Sequence, residues 1–218
     1  MAKLEFDKAG ARLFETGVKN GVLFVMQDGG TYGTGVVWNG LTNVTEKPSG
    51  AESTNLYADD IKYLALYGAE EFEATIEAYT YPEEFEVCDG SKSLSEGVTI
   101  GQQERKTFAF CYRTAVGNDI VGQDYGYKLH IIYGAKAKPS EKGYSTINND
   151  PEAITFSWDI TTTPVNVAGF KPTATVVIDS TKAPKAKLAQ LEESLYGGSS
   201  TESTLLMPDE IKTLFEGE

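Results

Sequence analysis

The stretch EEFEATIEAYTYPEEF, residues 70–85, alternates apolar and polar side chains from Glu71 to Tyr79. Successive side chains of an extended strand point to opposite faces, so this period of two predicts a strand with two unlike faces. One face carries the apolar residues Phe72, Ala74, Ile76 and Ala78. The other face carries Glu71, Glu73, Thr75, Glu77 and Tyr79. The first face belongs in a core, and the three glutamates of the second face either meet bulk water or have a function.

The same period recurs in three later stretches, in which large apolar residues alternate with small, polar or charged ones. These stretches are RKTFAFCYRTAV (105–116), YKLHIIYGA (127–135) and EAITFSWDITTT (152–163). Turns at these spacings favour antiparallel pairing, which allows each strand to keep one wet face. A second layer is predicted from GVLFVM (21–26), GVVWNGLTNVTE (35–46) and TATVVID (173–179). The sequence therefore predicts a mainly β protein, an antiparallel β-sandwich or partial barrel.

Helical spacing is found mainly near the carboxyl end. APKAKLAQLEESLYGG (183–198) spaces three leucines by three and four residues between an early proline and a closing Gly-Gly. PDEIKTLFEG (208–217) predicts a second, shorter helix. LYADDIKYLALYG (56–68) fits a strand and a helix equally, and both alternatives stay open. We expect a flanking carboxyl-terminal helix beside one sandwich, in a single domain over 1–218.

The formal net charge of −13 opposes nonspecific binding to nucleic acid or to anionic membranes, because their phosphates are repelled. The amino terminus lacks the apolar segment of a signal peptide, and no stretch has the length of a membrane span. Two cysteines are too few for a disulfide framework, so both are expected to be reduced. These features predict a chain that is synthesised and kept in a cytoplasm, with no membrane partner.

Residues for catalysis or for metal binding are scarce. His130 is the only histidine, the cysteines lack CxxC spacing, and no GxSxG motif is present. His130 and Cys111 fall on the polar face of their strands, where a solvated histidine and a small filler are expected. GGTYGTG (29–35) is interpreted as a hairpin turn, and the many paired carboxylates as a solvated face. We expect no enzyme, no cofactor and no metal site.

Several long runs of the chain resemble the major tail proteins of long-tailed bacteriophages that infect Gram-positive bacteria. They are WNGLTNVTEKPSGAE (38–52), LYADDIKYL (56–64), EATIEAYTYPEEFEVCDGS (73–91), GQQERKTFAFCYR (101–113), GYKLHIIYGAKAKPSEKGYSTINNDPEAITFSWDITTTPV (126–165), GFKPTATVVIDSTK (169–182), KLAQLEESLYG (187–197) and LLMPDEIKTLF (205–215). The resemblance implies a β-sandwich of the tail tube type. Its subunits would assemble into stacked hexameric rings, with four strands of each subunit forming a continuous barrel around a lumen. Some relatives carry an immunoglobulin-like extension, which is not expected beyond Glu218.

The resemblance also implies partners and a location. The chain would bind copies of itself, the tape measure protein, the tail terminator and the distal tail or baseplate proteins. DNA would cross the lumen during ejection without specific binding. The subunit would be synthesised in the host bacterial cytoplasm and end up in the virion tail.

A lumen needs a wall, and the polar faces of the four alternating strands are the candidates. The candidate lumen-facing residues are Glu73, Thr75, Glu77, Thr107, Arg113, Lys128, Thr155, Ser157 and Asp159. Small side chains of mixed charge, without a basic stripe, would let a polyanion pass, whereas a lysine-lined channel would bind DNA firmly. The alternative is that this face meets bulk water on the outside of the tube.

Three other classes of protein remain open from the sequence. The first is the tube of a phage-derived contractile particle, a tailocin, in which a sheath is an added partner. The second is a monomeric ligand-binding sandwich such as a carbohydrate-binding module, which usually displays exposed aromatic platforms. Trp38 and Trp158 are expected in a hairpin and in the core, which does not fit such a platform. The third, a hydrolase with paired carboxylates, has only the number of acidic residues in its favour.

Overall fold

The computed structural model describes residues 4–147 and 152–217. A 3-10 turn spans Glu83–Phe85, and the remaining elements follow in chain order. They are β1 (Leu13–Val25), β2 (Val36–Trp38), β3 (Leu41–Gly50), β4 (Ser53–Ala58), β5 (Ile61–Tyr67), β6 (Glu70–Ala78), α1 (Glu86–Asp89), β7 (Lys92–Ser95), β8 (Val98–Ile100), β9 (Phe108–Asn118), β10 (Gly122–Ala137), β11 (Phe156–Thr162), β12 (Thr175–Asp179), α2 (Lys185–Tyr196) and α3 (Pro208–Glu216). The predicted mainly β architecture with flanking carboxyl-terminal helices is confirmed.

The main sheet is antiparallel and folds back on itself. Its strand order is β2-β1-β9-β10-β11-β6-β3, and β12 pairs separately with β10. The long strand β10 pairs with β9 from residue 122 to 135 and with β12 over residues 128–132, and its last residues, 135–137, pair with β11. We call β3-β6-β11 the outer layer and β2-β1-β9-β10-β12 the central layer. In the described residues β2 and β3, the two ends of this order, do not pair, so the sheet stays open.

Only residues 39 and 40 separate the two edge strands β2 and β3 in the chain. Gly40 has a φ of 76°, a left-handed conformation that suits glycine. Trp38, the last residue of β2, is 1% exposed, and its indole N–H donates a hydrogen bond of 2.9 Å to the carbonyl of Thr80. Thr80 lies just past the end of β6. The residue before this short connection thus pairs with β1 of the central layer and donates a hydrogen bond to the end of the outer layer.

The inner core lies between the two layers and is rich in aromatic rings. Its centre is Trp38, whose ring centroid lies 4.5 Å from that of Phe85 and 5.4 Å from that of Trp158. Apolar residues of β6, including Ile76, and of β9, including Phe110, complete it. The apolar face predicted for residues 72–78 is confirmed, since Ala74, Ile76 and Ala78 are buried and Phe72 packs against the core.

A helix-side core covers the opposite face of the central layer. Leu188, Leu191 and Leu195 of α2 are buried there, as predicted from their spacing. They pack with residues of the central layer, among them Cys111 and Leu129. The expectation that β9 and β10 keep a wet face is therefore wrong, because helices cover the second face. Small side chains such as that of Cys111 leave space in which the leucines of α2 pack. In these strands a small side chain therefore indicates a buried position.

The segment of undecided conformation, residues 56–68, is a strand hairpin. β4 and β5 pair around Asp59 and Asp60, whose φ angles of 52° and 63° suit a two-residue hairpin turn. This hairpin continues the β3–β6 pair through a hydrogen bond of 3.0 Å from Ala51 N to Ala69 O. Residues 41–78 thus form one long ribbon whose distal half projects from the sandwich.

Other connections differ in detail from the expectations. The stretch 88–104 contains the end of α1 and the β7–β8 hairpin. The segments expected to form a second layer divide between the layers, because β1, β2 and β12 join the central layer and β3 joins the outer one. GGTYGTG lies in a turn between β1 and β2, as interpreted. Across residues 4–147 and 152–217, none of the helices combines the length and the apolar character that a membrane crossing requires.

Candidate functional site: a polar sheet face

The outer layer turns a polar face away from the inner core. The strand register brings its members side by side: Thr75 lies between Thr45 and Asp159, and Glu73 lies between Lys47 and Thr161. Glu77 lies between Asn43 and Ser157. We call this set, together with Lys136 and Lys138 at the end of β10, the polar face: Asn43, Thr45, Lys47, Glu73, Thr75, Glu77, Ser157, Asp159 and Thr161.

Most charges of the polar face are paired within it. Lys47 Nζ lies 3.4 Å from Asp159 Oδ1. Lys138, one residue beyond β10, places its Nζ 2.6 Å from Glu73 Oε1. Glu77 instead accepts a hydrogen bond of 3.2 Å from the Asn43 side-chain amide. The face thus carries both signs of charge without a basic stripe.

The carboxylate of Asp159 is held in place by a hydrogen bond from a neighbouring strand. The hydroxyl of Thr75, which is 8% exposed, donates a hydrogen bond of 2.5 Å to Asp159 Oδ1. This bond is the largest influence on the pKa of Asp159, and it lowers it. Burial raises the pKa by less, and the nearby Lys47 ammonium lowers it further. Asp159 is therefore ionised at neutral pH and its side chain is held in place.

The structure brings together five of the nine residues predicted to line a lumen: Glu73, Thr75, Glu77, Ser157 and Asp159. Thr155 is exposed and lies just before β11, next to this group in the chain. Thr107 is half-buried and lies just before β9, outside the polar face.

Arg113 and Lys128 are placed on other surfaces. The Arg113 guanidinium lies 3.4 Å from the centre of the Tyr127 ring, and its Nη1 is 4.0 Å from Glu192 of α2. Arg113 therefore faces the helices. Lys128 pairs with Glu15 of β1 at 2.5 Å, on the face of the central layer that also carries His130.

Several residues of the polar face are absent from the sequence prediction. Asn43, Thr45 and Lys47 alternate along β3, and that signal was available in the sequence. Lys138 could not be found in this way, because β10 runs beyond the predicted end at residue 135 and turns the lysine toward a glutamate of another strand.

The expectation of a solvated His130 is wrong. Its side chain is 12% exposed, and its ring stacks on Tyr112 at a centroid distance of 4.6 Å and an angle of 8°. Nε2 lies 3.0 Å from the Thr114 hydroxyl, and carboxylates of Glu15 and Glu46 lie 3.4 and 3.5 Å from the ring nitrogens. The ring is therefore part of a polar cluster at the margin of the inner core.

Glu46 links this cluster to the outer layer. It belongs to β3, and its carboxylate accepts a hydrogen bond of 2.6 Å from the Tyr112 hydroxyl of β9. The neighbouring His130 ring lowers the pKa of Glu46, outweighing the effect of burial, and the hydrogen bond from Tyr112 lowers it further. Burial, followed by this contact with Glu46, raises the pKa of Tyr112.

The distal ribbon exposes many large apolar side chains. β4 and β5 have no buried residue. Tyr57, Tyr63 and Tyr67 are each at least 70% exposed. Their large apolar neighbours in the hairpin, also exposed, are Leu56, Ile61, Leu64 and Leu66. Such an apolar surface marks an interaction site.

Side chains suited to catalysis are poorly placed. Burial raises the pKa of both Cys88 and Cys111 to about 12, so neither is a thiolate at neutral pH. In residues 4–147 and 152–217, no three histidine, cysteine, aspartate or glutamate side chains form a metal-binding group. Trp38 and Trp158 are both 1% exposed and so form no aromatic platform.

Comparisons with known proteins find a likeness in structure. No protein-family model matches the chain, and no curated protein sequence matches it. The fold is similar to a chain of an extracellular contractile injection system, the PVC sheath–tube complex in its extended state. The two share 12% sequence identity at a TM-score of 0.31, over 81% of this chain and 94% of the other. A likeness this loose carries no conclusion about function.

Proposed function

We propose that this chain is a structural subunit that assembles into stacked hexameric rings, forming the tail tube of a long-tailed bacteriophage. In this proposal the polar face lines the lumen, and the tube is the conduit for DNA during ejection. The protein acts by its shape and surface and catalyses no reaction. The long runs of sequence that resemble major tail proteins are the first support.

The observation that carries the proposal is the open edge beside the polar face. In the described part of the chain β3 pairs with β6 only, so the other side of this ten-residue strand has backbone groups available for a partner. Natural proteins cover, charge or pair such edges because they otherwise aggregate. A neighbouring copy that pairs with β3 satisfies these groups and extends the polar face around a circle. Heterologous contacts of this kind close into rings when the rotation from one copy to the next divides a full turn.

The exposed β4–β5 hairpin supports contacts beyond that edge. It projects from the sandwich with tyrosine, leucine and isoleucine side chains in water. Burying them against another copy is favourable by roughly 25 cal/mol for each Å² of apolar surface. We assign the hairpin to contacts between copies within the tube.

The chemistry of the polar face suits a passage for DNA. Hydroxyls, an amide and internally paired charges offer a duplex no continuous cationic track. The proposed partners at the tube's ends and inside it are the tail terminator, the distal tail or baseplate proteins and the tape measure protein. The proposed location is the virion tail, after synthesis in the host cytoplasm.

Electron microscopy of the purified, concentrated protein tests assembly directly. Rings or tubes are expected for the wild type, and the variant Tyr63→Ser/Tyr67→Ser should form fewer of them at equal concentration. The control Tyr144→Ser/Phe170→Ser removes rings that are also about 70% exposed but lie outside the hairpin, and it should assemble like the wild type. A wild-type protein that stays monomeric at every concentration contradicts the proposal.

A further inference from the structure

Two of the three lysines of the polar face are already engaged by carboxylates. Lys47 faces Asp159 at 3.4 Å, and Lys138 faces Glu73 at 2.6 Å. The side chains of all four remain 33–56% exposed, so a large anion could reach them. Whether either lysine can bind such an anion therefore depends on its carboxylate partner.

These ion pairs add little to folding, since exposed pairs typically contribute about 0–1 kcal/mol. Further hydrogen bonds nevertheless hold one member of each pair in place. Thr75 holds Asp159 by a hydrogen bond, and Asp159 in turn accepts a backbone hydrogen bond of 2.7 Å from Lys138 N to its carbonyl. The backbone of Lys138 is thus tied to the strand that carries the other pair.

We infer that Glu73 and Asp159 mask the two lysines and so keep the polar face from binding the phosphates of double-stranded DNA. A lysine binds DNA by replacing counterions that the phosphates have condensed. Lys138 and Lys47 would first have to give up their carboxylates, and those carboxylates would then repel the same phosphates. The identity of the polyanion as DNA rests on the proposed function. The masking itself rests on the distances between the lysine nitrogens and the carboxylate oxygens.

A third lysine on the same face provides an internal contrast. Lys136 lies opposite Thr161 and is exposed, and in the described residues no carboxylate lies within ion-pair distance of it. One free lysine beside several carboxylates gives little affinity. Releasing Lys47 and Lys138 would place three free cations on the polar face, one on β3 and two at the end of β10.

The test compares DNA binding by subunits of equal net charge. Glu73→Gln/Asp159→Asn releases the two lysines. The control Asp28→Asn/Asp179→Asn also removes two negative charges, from the partners of Lys106 and Lys182 on other surfaces. Binding of a fluorescently labelled duplex is measured by anisotropy at increasing salt.

The unmasked variant should bind at least about tenfold more tightly than the control at low salt. The slope of its log affinity against log salt should be steeper by roughly 2, one unit for each phosphate that a released lysine neutralises. Adding Lys47→Gln/Lys138→Gln to the unmasked variant should return its binding to the level of the control. Equal binding by the unmasked variant and the control overturns the inference.

Failure of the inference is distinguishable from failure of the proposed tube. If the wild type forms tubes while the unmasked variant binds no better than the control, masking is wrong and the tube stands. If the unmasked variant binds DNA but the wild type never forms rings, masking holds and the tube is wrong.

Discussion

The Tyr112 hydroxyl donates a hydrogen bond of 2.6 Å to Glu46 and thereby joins the central layer to the outer layer of the sandwich. Glu46 lies on the edge strand β3, and Tyr112 lies in the middle of the sheet order, on β9. His130, stacked on Tyr112, contacts the same carboxylate. The position of the open edge therefore depends on a polar contact as well as on the apolar core.

Removing that hydroxyl should weaken the fold. Tyr112→Phe leaves the ring in place but takes a hydrogen bond from a half-buried carboxylate, so the free energy of unfolding should fall by about 1.5–3 kcal/mol. Chemical denaturation measures the change. The control Tyr63→Phe removes a hydroxyl from an exposed hairpin residue and should change stability by less than about 0.5 kcal/mol. Equal effects of the two variants would show that the contact adds nothing.

Acid should weaken the same contact. The pKa of Glu46 is lowered from its ordinary value of 4.5, first by its contact with the His130 ring. The carboxylate therefore stabilises the fold above that ordinary value, and this stabilisation is lost as the pH falls through the lower pKa of the folded state. Stability measured from neutral pH downward should decline less steeply for Glu46→Gln than for the wild type. Glu84→Gln, at an exposed site, should keep the wild-type slope.

The helix-side core should be sensitive to cavities. Leu191 is fully buried, so Leu191→Ala should lower the free energy of unfolding by about 2–5 kcal/mol. The expected phenotype is loss of soluble protein without a selective defect in DNA passage. Gln190→Ala, an exposed change on the same helix, is the control. Full stability of Leu191→Ala would contradict the packing of α2 on the sheet.

Two glycines with left-handed φ angles should respond differently to alanine. Gly134, at φ 60°, would push a Cβ against the carbonyl oxygen of Thr163, whereas Gly122, at φ 72°, has open space. Both substitutions carry a backbone cost of about 1 kcal/mol. Thermal unfolding should show a clearly larger loss for Gly134→Ala. Similar losses would mean that the β10–β11 region adjusts to the added atom.

Reversing the glutamates of β6 should affect ejection more than folding. Glu73→Lys/Glu77→Lys places two positive charges per subunit on the polar face, where they would hold DNA with an affinity that falls as salt rises. We expect normal tubes, and virions that eject DNA slowly at low salt and recover at high salt. Wild-type ejection at every ionic strength would place this face on the outside of the tube.

The strands and helices could be predicted wherever one face is buried and the other is wet. Residues 70–78 and the leucines of α2 are of this kind, because burial on one side leaves a period in the sequence. β9 and β10 are buried on both faces. In these two strands the alternation of side chains separates large residues from small ones, and it does not separate core residues from solvent-exposed ones. Arg113 and Lys128 lie on surfaces other than the polar face for this reason.

The polar face could be predicted only in part, since its ion pairs join residues far apart in the chain. Glu73 and Lys138 are brought together by strand pairing, which no local pattern reveals. The burial of His130 likewise depends on Glu46 of β3 and Glu15 of β1 meeting at one ring.

The short connection at residues 39 and 40 has a mechanical consequence. Because it joins the two edges of the sheet, tension applied to β3 is transmitted within two residues to β2 and to the buried ring of Trp38. The β2–β1 pairing and the indole hydrogen bond to Thr80 then both resist that tension. A neighbour that pulls on the open edge therefore pulls on the aromatic centre of the molecule, and the load is shared by both layers.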